Sequence, residues 1–438
     1  MARIRSVRRI SWPRSFGAQL AIIATLALCV RLVYALAVAP GASQPGDSGL
    51  YQILAYALAN GQGYSTETSI FAGHPVPTAE HPPLYALFLA VFDKLGVSTI
   101  DEHRAVSCLL GTAAVVLIGL IGRRLGGPRT GVIAALLAAL YPQLFFIDGT
   151  LISESLYVPL VALSLLLAYR LRDRPTPARA ALLGAAVGLA TLTRPDGIVL
   201  LVLLAAPVII ATGRFHWVSG SLACAVACGL VLSPWLIRNE IALHRFPLIS
   251  TNGGLTAPAA NCDQTFFGRH TGFVNLRCAE RIPACQNITQ EVPLSQCLEQ
   301  TAITYVEHHK RRLPVVLIAR VARAFQLFQY NEDLHYAGTW GRTRGVAVAG
   351  LVLYAWLVPL AIGGVVLLRR RRVPMLAVLA LIVQGIVVPA SSFGFSRYRV
   401  AADVALVVLA AVPLGHVWER TGLHHEGRLA PVSGQDHV

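Results

Sequence analysis

The sequence predicts an all-α polytopic membrane protein of about ten transmembrane helices, with outer juxtamembrane helices and one large disulfide-containing outer loop. Three observations carry that prediction. Of 438 residues, 55% are apolar and only 13% charged, where a soluble domain carries nearer a quarter charged. The apolar residues come in uninterrupted blocks such as Gly131–Tyr141, Leu156–Ala168 and Ile198–Ala211, approaching the ~20 residues that cross a hydrocarbon core. Short arginine clusters separate the blocks, as the positive-inside rule expects of cytoplasmic loops. The formal charge of +15 is therefore a topology signal, and the expected partners are membrane lipids and not nucleic acid. Lys94 and Lys310 are the only lysines.

The elements follow in order. Arg3, Arg5, Arg8, Arg9 and Arg14 precede the first block, Phe16–Val38, and place the N-terminus in the cytoplasm. Cleavage of a leader at Ala35-Leu36-Ala37 is the competing reading, against which stand the length of the block and the many spans after it. Ala39–Glu80 has no lysine or arginine, which suits an outer loop. His81–Leu95 is apolar but short. If it crossed the membrane, Arg123, Arg124 and Arg129, which follow the block Ala105–Ile121, would fall outside. It is therefore read as an interfacial or re-entrant helix on the outer side. Thr130–Ile147 then runs outward, Glu154–Tyr169 returns to Arg170, Arg172, Arg174 and Arg179, and Ala180–Leu192 goes out. Gly197–Ala211 comes back to Arg214 and Trp217–Ile237 goes out again. After a long polar stretch, Gly345–Leu368 returns to Arg369–Arg372, Val373–Val388 goes out and Val400–His416 brings the chain back inside.

The organisation expected is an N-terminal transmembrane module over residues 1–238, with a first outer loop at 39–104. An extracytoplasmic region at 239–342, a C-terminal transmembrane module at 343–417 and a cytoplasmic tail at 418–438 complete it. The location expected is the plasma (inner) membrane, with both termini cytoplasmic.

The cysteines test this layout independently. Cys262, Cys278, Cys285 and Cys297 all fall in the long outer region, where an oxidising compartment preserves disulfides and few apolar residues are present to build a core. Two bridges are expected, with three possible connectivities. Zinc is the weaker reading, because no Cys-x-x-Cys pair is present. Cys29, Cys108, Cys224 and Cys228 lie inside spans and serve as small apolar residues.

Polar residues at span ends are costly and tend to mark function. Pro45-Gly46-Asp47-Ser48 leads into a helix with Leu50, Ile53, Leu54, Ala57 and Leu58 on one face, the stripe of a helix lying on the membrane surface. Asn60-Gly61 stops it. Asp47 thus stands at a helix N-terminus as a cap, as a base for an acceptor hydroxyl, or as both. Glu80 and His81 open the short outer helix before Pro82-Pro83, where they start a helix or contact a phosphate. Glu154, after Ser153, caps a span or belongs to a site. Arg238, at the end of Ser233–Asn239, and the run Ser396-Arg397-Tyr398-Arg399 place arginines on the outer side against the charge bias. An anionic partner such as a lipid-linked phosphate explains them, as does interfacial anchoring. Thr193-Arg194-Pro195-Asp196-Gly197 joins two short spans and is read as a structural turn with Arg194 paired to Asp196. No Walker-type phosphate loop, Gly-x-Ser-x-Gly or His-Glu-x-x-His is present. The energy of any transfer must therefore come from an already activated donor.

At these residues the chain resembles the integral-membrane glycosyltransferases of the GT-C fold, in particular the bacterial protein O-mannosyltransferase-like (glycosyltransferase family 39-like) and aminoarabinose-transferase-like proteins. The resemblance rests on Asp47, the His81–Leu84 run, Ser153-Glu154, Thr193-Arg194-Pro195, Pro234-Trp235 with Arg238-Asn239, and Arg397-Tyr398-Arg399. It implies a cell-envelope enzyme that moves a hexosyl or pentosyl unit from a polyprenyl-phosphate donor to a glycan, lipid or protein acceptor. It also implies an extracytoplasmic active site with Asp47 as catalytic base. His81, Glu80, Glu154, Arg238, Arg397 and Tyr398 are the candidates for the donor phosphate or substrate. A divalent metal stays open as a cofactor, although Asp47 is followed by Ser48 where many relatives carry an Asp-Glu pair. Phosphate is a good leaving group, so positioning and neutralisation suffice for an inverting transfer. The alternative is a transporter or flippase of a lipid-linked glycan, against which stands the lack of an internal repeat.

Overall fold

The computed structural model describes residues 15–39, 46–65, 76–247, 249–280, 282–336 and 342–426. The arginines at positions 3–14, the C-terminal end of the predicted tail and the middle of the first loop lie outside the described residues. In order, the helices are α1 (Phe16–Val33), α2 (Asp47–Ala59), α3 (Leu84–Lys94), α4 (Ile100–Gly126), α5 (Pro128–Leu140), α6 (Glu154–Asp173) and α7 (Pro177–Thr191). They continue as α8 (Arg214–Leu243), α9 (Gly253–Ala260), α10 (Glu291–His308), α11 (Leu313–Ala324), α12 (Arg344–Arg370), α13 (Leu376–Ser391) and α14 (Val400–Glu426), with short turns between. Among the described residues the only β-pairing is an isolated bridge between Ser65 and Pro77.

Six helices, α1, α4, α6, α8, α12 and α14, are long and apolar enough to cross a bilayer. A seventh path, α5 with Pro142–Gly149, is bent by 66°, because the residue before a proline is driven out of the helical region and Tyr141 takes an extended backbone. The segments α7, Pro195–Ile210 and α13 are shorter apolar helices. These ten segments coincide with the ten blocks of the sequence, but four are too short or too bent to count as spans on length alone.

Local signals explain the ends. Ser15 Oγ accepts from Ala18 N at 3.3 Å to open α1. Thr99 and Glu102 form a capping box at α4, and Gly127, at φ 88°, turns the chain into Pro128 at the start of α5. Packing relies on small residues, as expected where lipid tails are as apolar as the helices themselves. An added Cβ at Gly184 on α7 would sit 2.0 Å from Cys224 O on α8, and one at Gly364 on α12 would sit 2.0 Å from Leu409 O on α14. The bundle centres on α14, whose residues Val400 to Val412 are all buried against α12, α5, α13, α4 and α6. This fixes the short turn that precedes it.

The helix read as interfacial, α3, has 11 residues and at 1.5 Å per residue is too short to span. It packs on α2 through Tyr85 and Leu89 against Tyr51, Leu54 and Ala55, and leaves Leu87, Val91 and Leu95 exposed. The face α2 buries is centred on Tyr51 and Leu54, one step round from the predicted stripe, and Ile53 is half-buried. Between α8 and α12 the polar region folds into short helices stapled by the disulfides Cys262–Cys278 and Cys285–Cys297. Glu291 ties this region to the first loop by accepting from Ala79 N at 2.8 Å and Thr251 Oγ1 at 2.6 Å.

Candidate active site

Several chain segments converge on one cavity of about 530 Å³, whose walls include Asp47, Tyr51, Glu80, His81, Ser153, Arg194, Asn252, Thr256, Arg397 and Tyr398. Asp47 is the first residue of α2, and Glu154 is the first residue of α6. Arg194 follows α7, and Arg397 lies in the turn Ser396–Arg399 that leads into the buried α14.

Arg397 links two of the acids. Its Nη2 donates to Asp47 Oδ2 at 2.7 Å, and its Nε donates to Glu154 Oε1 at 2.7 Å. Arg194 Nη1 reaches the same Glu154 oxygen at 2.5 Å, while its Nε donates to Asp196 Oδ1 at 3.0 Å. Glu154 is fully buried and Arg194 and Arg397 nearly so, whereas the Asp47 side chain is 28% exposed to the cavity. The rings of Tyr157 and Tyr398 lie 5.7 and 5.1 Å from the Arg194 guanidinium, holding its plane. His81 Nε2 stands 3.7 Å from Asp47 Oδ1, and its Nδ1 is buried with no hydrogen-bond partner. One backbone strain adjoins the site: buried Leu151 takes φ 50° three residues before Glu154, a conformation that costs free energy outside glycine.

The electrostatics follow from these contacts. Burial alone would raise the Asp47 carboxyl, but the Arg397 guanidinium and His81 outweigh it and hold Asp47 well below the usual carboxylate range. Glu80 shifts the other way: burial raises it, His81 opposes, and the Glu291 and Asp47 carboxylates add to the rise. Asp47 is thus a fixed negative charge and Glu80 the more easily protonated acid.

The structure brings together Asp47, Glu80, His81, Glu154, Arg397 and Tyr398 from the sequence-predicted residues. Arg238 is not among the cavity residues. Its guanidinium donates to Thr78 O at 2.6 Å, Tyr64 O at 2.5 Å and Asn239 Oδ1 at 3.0 Å, and lies over the Tyr64 and Trp235 rings. It fastens the first loop to the end of α8. Arg194, read from the sequence as a turn residue, does pair with Asp196 but also lines the cavity and reaches the fully buried Glu154 behind its wall. The signal for it was an arginine in a turn between two apolar segments, as costly there as Arg397.

The chain has the GT-C fold, as its motifs led us to expect. A family model described as dolichyl-phosphate-mannose-protein mannosyltransferase matches residues 80–237, which include Glu80, His81, Glu154 and Arg194. The oligosaccharyltransferase of Archaeoglobus fulgidus, solved with a tethered acceptor peptide, superposes with TM-score 0.52 at 13% identity over 93% of this chain and 50% of that one. The same protein, AglB, in complex with an inhibitory peptide and a dolichol-phosphate gives TM-score 0.50 at 15% identity over 97% and 52%. The chain therefore spans about half the length of these proteins. A weaker likeness, TM-score 0.45 at 14% identity over 94% and 79%, is to ArnT from Cupriavidus metallidurans bound to undecaprenyl phosphate. No curated protein matches the chain in sequence.

Proposed function

We propose that the protein transfers a hexosyl or pentosyl unit from a polyprenyl-phosphate donor to an acceptor on the extracytoplasmic face of the plasma membrane. The observation that carries this reading is the meeting of Arg397, Arg194 and Asp47 in one cavity at the ends of apolar helices. A lipid-linked phosphate leaves its chain among the helices and its charge at their ends, where the Arg397 guanidinium and His81 neutralise it as it departs. The complex of the Archaeoglobus enzyme with a dolichol-phosphate is in keeping with such a donor.

In this mechanism Arg397 and His81 receive the phosphate, His81 Nδ1, which makes no hydrogen bond and stands 4.0 Å from Glu80 Oε1, offering one contact. An acceptor hydroxyl attacks the anomeric carbon, its proton passes to Asp47, and the bond from that carbon to the phosphate oxygen breaks with inversion. An aspartate paired to Arg397 is a weak base. When the phosphate draws Nη2 away, the carboxylate loses its main stabilising charge and gains basicity, while Glu154 keeps Arg397 in place through Nε. The base is thereby switched on by the donor. Asn252 and Thr256, on the same cavity wall, face the acceptor.

The test is transfer by purified protein in lipid nanodiscs, given radiolabelled polyprenyl-phosphate sugars and native membrane extract. Label moving into a new product supports the reading. Binding of the carrier without transfer from any donor sinks it and favours transport of the lipid-linked glycan.

A further inference from the structure

The charges between Asp47 and Glu154 carry one step more, which rests on the glycosyl-transfer reading above. Where two carboxylates face a departing phosphate, a divalent cation is a common bridge, taking carboxylate oxygens at about 2.0–2.6 Å and offering its remaining positions to the phosphate. The residues of this site do not fit such an ion. The place between the carboxylates is taken by one nitrogen, Arg397 Nη2, which has Asp47 Oδ2 at 2.7 Å and Glu154 Oε2 at 3.4 Å. Nε, on the same edge of the fork, is held by Glu154 Oε1 at 2.7 Å, and that oxygen also receives Arg194. Asp196 is engaged by Arg194. Among the described residues no three His, Cys, Asp or Glu side chains converge as a metal group.

We infer that Arg397 is the bridging cation of this site, built into the protein, and that the donor phosphate is bound and released without a divalent metal. A guanidinium suits the task. It keeps its proton at any working pH and presents a planar fork, so one edge holds a carboxylate while the other turns to phosphate. Fixed through Nε to fully buried Glu154, it is oriented before the donor arrives. The chemistry balances without a metal. The acceptor oxygen bonds to the anomeric carbon as the carbon–phosphate oxygen bond breaks, the proton goes to Asp47, and the phosphate leaves as an anion beside Arg397. Nothing is oxidised or reduced.

The inference predicts that a metal enters only when Arg397 is removed. Binding of Mn²⁺ to purified full-length protein, followed by the loss of the free-ion electron paramagnetic resonance signal, reads this without any assay of transfer. Wild type should take up no Mn²⁺ at this site. Arg397→Ala should gain one Mn²⁺ per chain, and Arg397→Ala with Asp47→Asn should lose it again. Dialysis of wild type against EDTA should leave transfer unchanged within a factor of two. Stoichiometric Mn²⁺ binding by wild type that Asp47→Asn abolishes overturns the inference, as does EDTA-sensitive transfer restored by Mg²⁺ or Mn²⁺. A folded Arg397→Ala that gains no ion overturns it too, since the carboxylates would then form no cation site. If that variant does not fold, the wild-type titration, with the Asp47→Asn control, decides the question. A protein that transfers no sugar at all removes the function reading, and the Mn²⁺ titrations still judge the bridge.

Discussion

Arg397 and Asp47, 350 residues apart in sequence, meet at 2.7 Å in the wall of the cavity. The contact joins α2 to the turn that leads into the central helix of the bundle, and it sets the charge of Asp47. A carboxyl held below its ordinary value of 3.8 contributes stability that is fully present above that value and lost as pH falls through the lower folded value. Wild type should therefore unfold at a higher temperature than Asp47→Asn at neutral pH. That difference should persist down to about pH 3.8 and shrink only below it. A difference that disappears between pH 7 and 5 would mean that Asp47 is not held by Arg397.

Glu154 is fully buried and takes both Arg194 and Arg397. Removing one partner of a buried ionic group leaves uncompensated charge and costs about 3–5 kcal/mol. Glu154→Gln should therefore lower the thermal midpoint sharply, and adding Arg194→Met should recover part of the loss. Additive losses in the double variant, measured by thermal unfolding in detergent, would contradict the coupling.

A second ion pair lies deep among the spans. Arg31 Nε meets Asp148 Oδ2 at 2.9 Å with both side chains at or below 2% exposure. Gly111 makes room for it, since an added Cβ would lie 1.9 Å from that oxygen and 2.6 Å from Arg31 Nε. Gly111→Ala should depress the thermal midpoint strongly, whereas Gly17→Ala, with nothing within 4 Å of the new carbon, should be neutral or slightly stabilising. Equal behaviour of the two variants would refute the packing.

The Cys262–Cys278 bridge closes a loop of 16 residues that carries Val274 and Leu276 in the cavity wall. A loop of that length stabilises by about 3 kcal/mol in the chain-entropy description. Replacing both cysteines by serine should loosen this wall and raise KM for the sugar donor or acceptor while kcat falls less. Peptide mapping without reduction should find 262 joined to 278 and 285 to 297. Any other pairing contradicts the fold of this region.

Much of this was legible in the sequence because membrane insertion leaves a strong one-dimensional record. Apolar blocks and arginine clusters located the ten segments, and the short apolar run of α3 was readable as a helix of too few residues to span. The cavity residues were legible where cost betrayed them: Asp47, Glu154 and Arg397 are charges beside apolar segments. What the sequence could not supply was partnership. Arg194 and Arg238 look alike on the page, each an arginine close to a span end. One meets Glu154, 40 residues away, and the other meets backbone carbonyls of the first loop, up to 174 residues away. Neither distance has a local signature. The disulfide pairing was open for the same reason, and only the folding of the loop selected neighbours.

The measurement that bears most directly on the account is single-turnover transfer from a polyprenyl-phosphate sugar by wild type and Asp47→Asn, both confirmed folded and carrier-bound. The account predicts that the variant binds the donor as tightly as wild type and loses at least ~10²-fold in the chemical step, the range general-base catalysis contributes. Equal rates of transfer in the two proteins would contradict it.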